Sequence, residues 1–141
     1  MKIEFEVYGR PQGKARPRMT RSGHVYTPKE TKQYEALVKA SFEKVKPDGW
    51  TPISSAVIVT IEAFFIKSKT NKDKYCTIKP DIDNIQKIIL DGIQGNDNVI
   101  LDDKSVIGIV TRKFWGVIDK VRVTVETVET VEYVEGTAHE Q

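Results

Sequence analysis

The sequence predicts an α+β fold, a single domain over residues 1–141 whose mixed β-sheet carries two main helices in the order β-α-β-α-β-β. Three observations predict it. Apolar residues alternate with polar ones near both ends, at Ile3, Phe5 and Val7 and again at Val121, Val123 and Val125. Two stretches show helical spacing, each introduced by a proline. Between them lies a β-branched apolar run, Ala56 to Ile66, with little alternation.

The first strand places Ile3, Phe5 and Val7 on one face and Lys2, Glu4, Glu6 and Tyr8 on the other. From Gly9 to Val25 the glycines and prolines prevent regular structure, so the basic residues there belong to an exposed arm. Thr27-Pro28-Lys29-Glu30 predicts a helix start with Thr27 as N-cap, Pro28 at the first helical position and Glu30 closing a capping box. Its apolar face is Tyr34, Leu37, Val38, Phe42 and Val45, and Pro47 and Gly49 stop it. Ala56 to Ile66 predicts a central strand buried on both faces.

Pro80 precedes a second helix, Ile82 to Gln94, with Ile82, Ile85, Ile89 and Ile93 on one side and Asp83, Lys87, Asp91 and Gln94 on the other. Gly95-Asn96-Asp97-Asn98 ends it in a turn. Val106 to Phe114 and Val121 to Val128 predict two strands, with Gly116 to Lys120 as a hairpin-length connection. The acidic tail after about Glu129 is expected to fray.

The hydrophobic fraction of 39% and charged fraction of 30% are those of an ordinary soluble protein. No apolar run approaches the roughly 18 residues of a membrane span, so no membrane partner is expected. The first residues lack the apolar stretch of a signal peptide, and the single cysteine, Cys76, has no partner for a disulfide. Both point to the cytoplasm. His24, His139 and Cys76 lack the spacing of a zinc site. Trp50, Trp115, Phe64 and Phe65 suit core or dimer contacts better than base stacking.

The net charge of +2 conceals an uneven distribution. Residues 10–32 hold seven cations, Lys14, Arg16, Arg18 and Arg21 among them, against Glu30 alone. Residues 67–79 hold five lysines, including Lys69, Lys72 and Lys74, against Asp73. Two basic segments in an otherwise acidic chain suit a localised polyanion surface, with solvated loops as the plain alternative. The seven residues just named are the candidate DNA contacts.

Asp81-Ile82-Asp83-Asn84 with Lys87 is the cluster that carries chemistry. Two carboxylates one residue apart at a helix entrance can converge on a hard cation such as Mg²⁺, and Lys87 lies one turn beyond Asp83. Asp102-Asp103 offers a third acid before a strand. Three carboxylates and a lysine suit phosphodiester hydrolysis by a metal-activated water. The structural alternative is an N-cap and an i, i+4 ion pair, with Asp102 and Asp103 as turn residues.

Pro80-Asp81-Ile82-Asp83-Asn84-Ile85-Gln86-Lys87, followed by Leu101-Asp102-Asp103-Lys104-Ser105-Val106, resembles the motif of the RusA family of Holliday-junction resolvases. The resemblance extends to the Lys14-Ala15-Arg16-Pro17-Arg18 arm and to Val25-Tyr26-Thr27-Pro28. It implies that Asp81, Asp83 and Asp103 bind the metal, Mg²⁺ with Mn²⁺ as a substitute, and that Lys87 is the essential basic residue. It further implies a homodimer that cuts four-way DNA junctions in recombination and repair. Two rivals stand beside it: a fork or flap nuclease using the same site, and a DNA-binding protein without catalysis.

Overall fold

The computed structural model describes residues 1–128; the tail from Glu129 to Gln141, with His139, lies outside the described residues. Strand β1 is Lys2–Tyr8, β2 Arg18–Met19, β3 Val25–Tyr26, β4 Val57–Ile66, β5 Val106–Gly116 and β6 Lys120–Thr127. Helix α1 is Lys29–Glu43 and α2 is Ile82–Ile93, and one 3-10 turn, Asp103–Ser105, leads into β5. The main sheet is mixed, in the order β1-β6-β4-β5: β6 runs antiparallel to both β1 and β4, and β5 runs parallel to β4. The α+β class and the two helices stand as the sequence predicts.

Both helices cover one face of the sheet. Ile3, Phe5 and Val7, then Val121, Val123 and Val125, then Val57, Val59, Ile61, Ala63 and Phe65 all point into that layer. They meet Tyr34, Val38 and Phe42 of α1 and Ile85, Ile88, Ile89 and Ile93 of α2. Each buried Val, Ile or Phe side chain among them contributes about 1.5–3 kcal/mol by leaving water. Gly92 lets the helices approach closely, since a Cβ there would stand 2.8 Å from Val38 Cβ. Asn98 closes α2 by donating from Nδ2 to Gly92 O at 2.8 Å, and Trp50 Nε1 donates to Asn98 O at 3.1 Å.

Five expectations are corrected. Strand β4 is central but buried on one face only, because no helix covers Ile58, Thr60, Glu62, Phe64 and Ile66. β5 and β6 do not form a hairpin: β4 lies between them, and Val117 to Asp119 cross over its end. The Asp119 carboxylate stabilises that crossing by accepting from Ile66 N at 2.8 Å and from Arg10 at 3.3 Å. Loop length is a local signal, whereas strand partners follow from burying the Val121, Val123, Val125 row in the middle of the sheet. Helix α1 is capped by Pro28, with no side-chain cap bond, one residue later than expected. Its buried stripe includes Thr31 and Ser41, while Leu37 and Val45 face solvent. The basic arm contains a two-stranded ribbon, β2 with β3, and its first part packs on α2 rather than standing free.

Candidate active site

The start of α2 is fixed from two sides. From one, residues 10–17 lie against it: Lys14 N donates to Asn84 O at 2.9 Å. Gly13 is so close that a Cβ would meet Pro80 Cβ at 2.7 Å and Asn84 Cβ at 3.0 Å. From the other side, Lys113 of β5 donates from Nζ to the carbonyl oxygens of Ile78 and Pro80. The Lys79–Pro80 peptide between them is cis.

The result is a cleft of about 500 Å³ in which Asp81, Asp83, Asn84 and Lys87 face Lys14 and Arg16. A second hollow of about 400 Å³ adjoins it, sharing Lys14, Asp81 and Asn84 and adding Arg10 and Lys79. Asp81 occupies the N-cap position, with extended φ and ψ of −70° and 155°, yet its carboxylate makes no cap bond. Among the described residues Asp83 and Lys87 form no ion pair with each other or with any third group. The cap-and-pair alternative therefore describes neither carboxylate. Both carboxylates are exposed and unpaired, which leaves their oxygens open to a cation.

Lys14 is only partly exposed and bridges Glu35 at 2.6 Å and Asp91 at 2.9 Å. Burial acts to lower its pKa, and the bonds to Glu35 and Asp91 more than offset that, so it sits above its ordinary value. Arg16, Arg18 and Arg21 are exposed, Arg18 on β2 and Arg21 in the ribbon turn beside His24. Lys69, Lys72 and Lys74 stand exposed on the loop between β4 and α2. That loop is tied down by Trp115 Nε1, which donates to Asp73 O at 3.2 Å.

The acidic pair before β5 divides its roles. Asp102 caps the 3-10 turn, accepting from Lys104 N at 2.9 Å. Asp103 is held by Gln94, which accepts from its amide at 3.1 Å and donates to its carboxylate at 3.4 Å. The same Gln94 amide donates to Asp91 at 3.3 Å. Asp103 thus meets the far end of α2's polar stripe and does not line the cleft of Asp81 and Asp83. Among the described residues no three His, Cys, Asp or Glu side chains are grouped to hold a metal ion. The donor chemistry nevertheless fits Mg²⁺: the cleft offers unpaired carboxylate oxygens and no thiol or imidazole, and Mg²⁺ takes one or two carboxylates with water and phosphate oxygens.

Residues 8–126 match the family described as endodeoxyribonuclease RusA. The chain belongs to that family. A RusA-family chain is an endodeoxyribonuclease, a hydrolase acting on DNA. The uncharacterized protein YqaN of Bacillus subtilis (strain 168) is 28% identical to it, over 89% of this chain and 96% of that one. Among the described residues no helix is long and apolar enough to cross a membrane.

Four residues around the candidate cleft carried no assigned role in the sequence. Asp91 and Gln94 were visible on the polar stripe of α2, but nothing local said that they meet Lys14 and Asp103. Glu35 and Lys113 gave no signal at all, since both act across packed elements. The remaining candidates are structural: Trp50 and Phe65 belong to the core, and Cys76 is buried, which pushes its thiol pKa up. Phe64 stacks on Phe114 at 5.3 Å on the open face of the sheet.

Proposed function

We propose that this protein is a Mg²⁺-dependent, structure-selective endodeoxyribonuclease that resolves four-way DNA junctions as a homodimer, in cytoplasmic recombination and repair. The observation that carries the reading is the cleft itself, where Asp81, Asp83 and Lys87 stand unpaired opposite Lys14 and Arg16. Asp81 and Asp83 would hold the cation, with Mn²⁺ as a substitute, and Asp103 is the third acid that the family resemblance implies although it stands outside their cleft. Asp102 caps the 3-10 turn and Asp103 is held by Gln94, so the choice of Asp103 rests on the resemblance. When bound, the cation supplies an activated water and charge neutralisation at the scissile phosphate. Lys87 presents its ammonium to the charge that develops on that phosphate. Arg16, Arg18 and Arg21 with Lys14, and Lys69, Lys72 and Lys74 on the neighbouring loop, bind flanking phosphates without reading bases. A four-way junction has two-fold related strands, and a two-fold dimer presents one cleft to each.

The test is incubation of labelled four-way, forked, flapped and linear DNA with and without Mg²⁺. Paired, symmetric cuts in the four-way substrate only with Mg²⁺ are expected. Cutting of forks or flaps in preference to the junction overturns the substrate assignment. Binding without cutting, in Mg²⁺ and in Mn²⁺, overturns the catalytic one. In the same assay Asp103→Asn should lose far more activity than Asp102→Asn, which should mainly lower thermal stability.

A further inference from the structure

Strand β5 sends three alternate side chains toward the segment that carries the site. Thr111 Oγ1 donates to Gln86 Oε1 at 2.9 Å, Lys113 Nζ donates to the carbonyls of Ile78 and Pro80, and Trp115 Nε1 donates to Asp73 O. The spacing follows from the strand, where every second residue faces the same side. The targets differ: the body of α2, the two residues before its cap, and the basic loop.

Lys113 is the unusual member of this row. It is partly buried, and among the described residues it forms no ion pair. Removing an ammonium from water is unfavourable, and here the compensation is two backbone carbonyls, the second of them bonded directly to Asp81. The Asp81 side chain has no tether of its own, since it makes no cap bond. Its place depends on the main chain to either side. On the C-terminal side Ile85 N donates to Asp81 O at 3.1 Å. On the N-terminal side the anchor is Lys113.

We propose that Lys113 is a positioning residue for the nuclease site: its ammonium fixes the main chain at Ile78 and Pro80 and thereby sets where the Asp81 and Asp83 carboxylates stand. The proposal rests on the nuclease reading of the cleft. Lys113 touches no reacting atom in this role, so it should govern the rate of cutting and not the affinity for DNA. An approximately ångström-scale displacement of catalytic groups can cost about a hundredfold in rate, whereas phosphate contacts tolerate it.

The decisive comparison is Lys113→Met with Lys113→Arg and Thr111→Val. Thr111→Val removes one bond from the same row without touching the residues before Asp81, so it reports what a merely structural loss does. Single-turnover cutting at saturating junction should fall at least about tenfold in Lys113→Met, with affinity in metal-free buffer within about twofold of wild type. Lys113→Arg, which keeps two donors, should restore most of the rate, and Thr111→Val should cut like wild type. A readout independent of cutting is amide exchange at Ile85 in metal-free protein. It should quicken at least about tenfold relative to Ile89 in Lys113→Met and stay put in Thr111→Val. If Lys113→Met does not fold, Lys113→Gln, with a shorter amide stem, is expected to show the same losses.

Equal rates and equal exchange in a folded Lys113 variant and Thr111→Val overturn the proposal, as does a loss shared by Lys113→Arg. A wild-type protein that cuts no branched DNA removes the nuclease reading, while the exchange measurement still decides whether Lys113 holds the cap. Wild-type cutting combined with an unaffected Lys113→Met removes the present proposal alone.

Discussion

On the face of the sheet that carries no helix, two carboxylates are matched within the molecule: Glu6 accepts from Lys120 at 2.7 Å and from Arg122 at 3.2 Å, and Glu62 from Arg122 at 3.5 Å. On the helix side, at the start of α2, the same kinds of residue are left unmatched. Asp81, Asp83 and Lys87 share a cleft and none finds a partner among the described residues. Exposed ion pairs stabilise by only about 0–1 kcal/mol, so pairing on the open face is a modest structural gain. Asp81 and Asp83 are exposed to water at a helix N-terminus, so leaving them unpaired costs the fold little and keeps their oxygens open to a ligand. Between these two regions, pairing separates carboxylates that are already engaged from carboxylates left open to a ligand.

The largest effect that could break this comparison is catalytic. Asp81→Asn or Asp83→Asn should lower cutting by about a hundredfold or more while metal-free junction binding stays equal or tightens, since each removes negative charge near phosphate. Glu62→Gln, from the paired face, should cut at the wild-type rate. Single-turnover assays of the three variants decide it. Wild-type turnover in Asp83→Asn, or a comparable loss in Glu62→Gln, would mean that pairing does not separate the two roles.

A smaller effect uses two glycines that differ in what they approach. A Cβ at Gly92 overlaps Val38 between the helices, so Gly92→Ala should lower stability by about 1–3 kcal/mol in a denaturant titration with rates at low temperature preserved. A Cβ at Gly13 overlaps Pro80 and Asn84 at the cleft wall, so Gly13→Ala should lower the cutting rate about tenfold with a smaller stability change. The opposite assignment of the two phenotypes would place the cleft wall in the core.

Much of this was legible in the sequence because it depends on local pattern. Alternation at Ile3, Phe5 and Val7 and the spacing of Ile85, Ile89 and Ile93 in α2 report burial directly, whereas Ile82, placed on the same side, is exposed and Ile88 is buried beside them. Asp83 and Lys87 share a face because helix geometry stacks i and i+4, and Asp81 joins their cleft from the extended N-cap position just outside the helix. What stayed hidden depends on packing between distant segments. The partner of β6 was decided by the whole sheet, not by the short link from Gly116 to Lys120. The burial of only one face of β4 follows from both helices lying on the same side. The pairing of Lys14 with Glu35 and Asp91, and the hold of Lys113 on Ile78 and Pro80, join residues that no spacing rule connects.

The smallest expected effect tests the paired face by itself. Hydrogen bonding from Lys120, reinforced by Tyr8 and by the nearby Arg122, holds the Glu6 carboxyl below its ordinary value of 4.5. A carboxyl whose folded pKa is depressed stabilises the fold fully above its unfolded value and loses that contribution as pH falls through the folded value. Glu6→Gln should therefore cost stability near neutral pH, by less than about 1 kcal/mol because the pair is partly solvent-screened. The difference between wild type and variant should shrink toward zero below pH 4.5. Asp97 is also depressed, by its bond to Lys39, and titrates in the same acid range. It is present in both proteins, so subtracting one denaturation curve from the other removes it. A difference that stays constant on acidification would show that Glu6 acts through packing or through its bond to Tyr8 rather than through charge. A wild-type cutting rate for Glu6→Gln at neutral pH completes the contrast, because the same charge removed at Asp83 should abolish activity while leaving stability nearly unchanged.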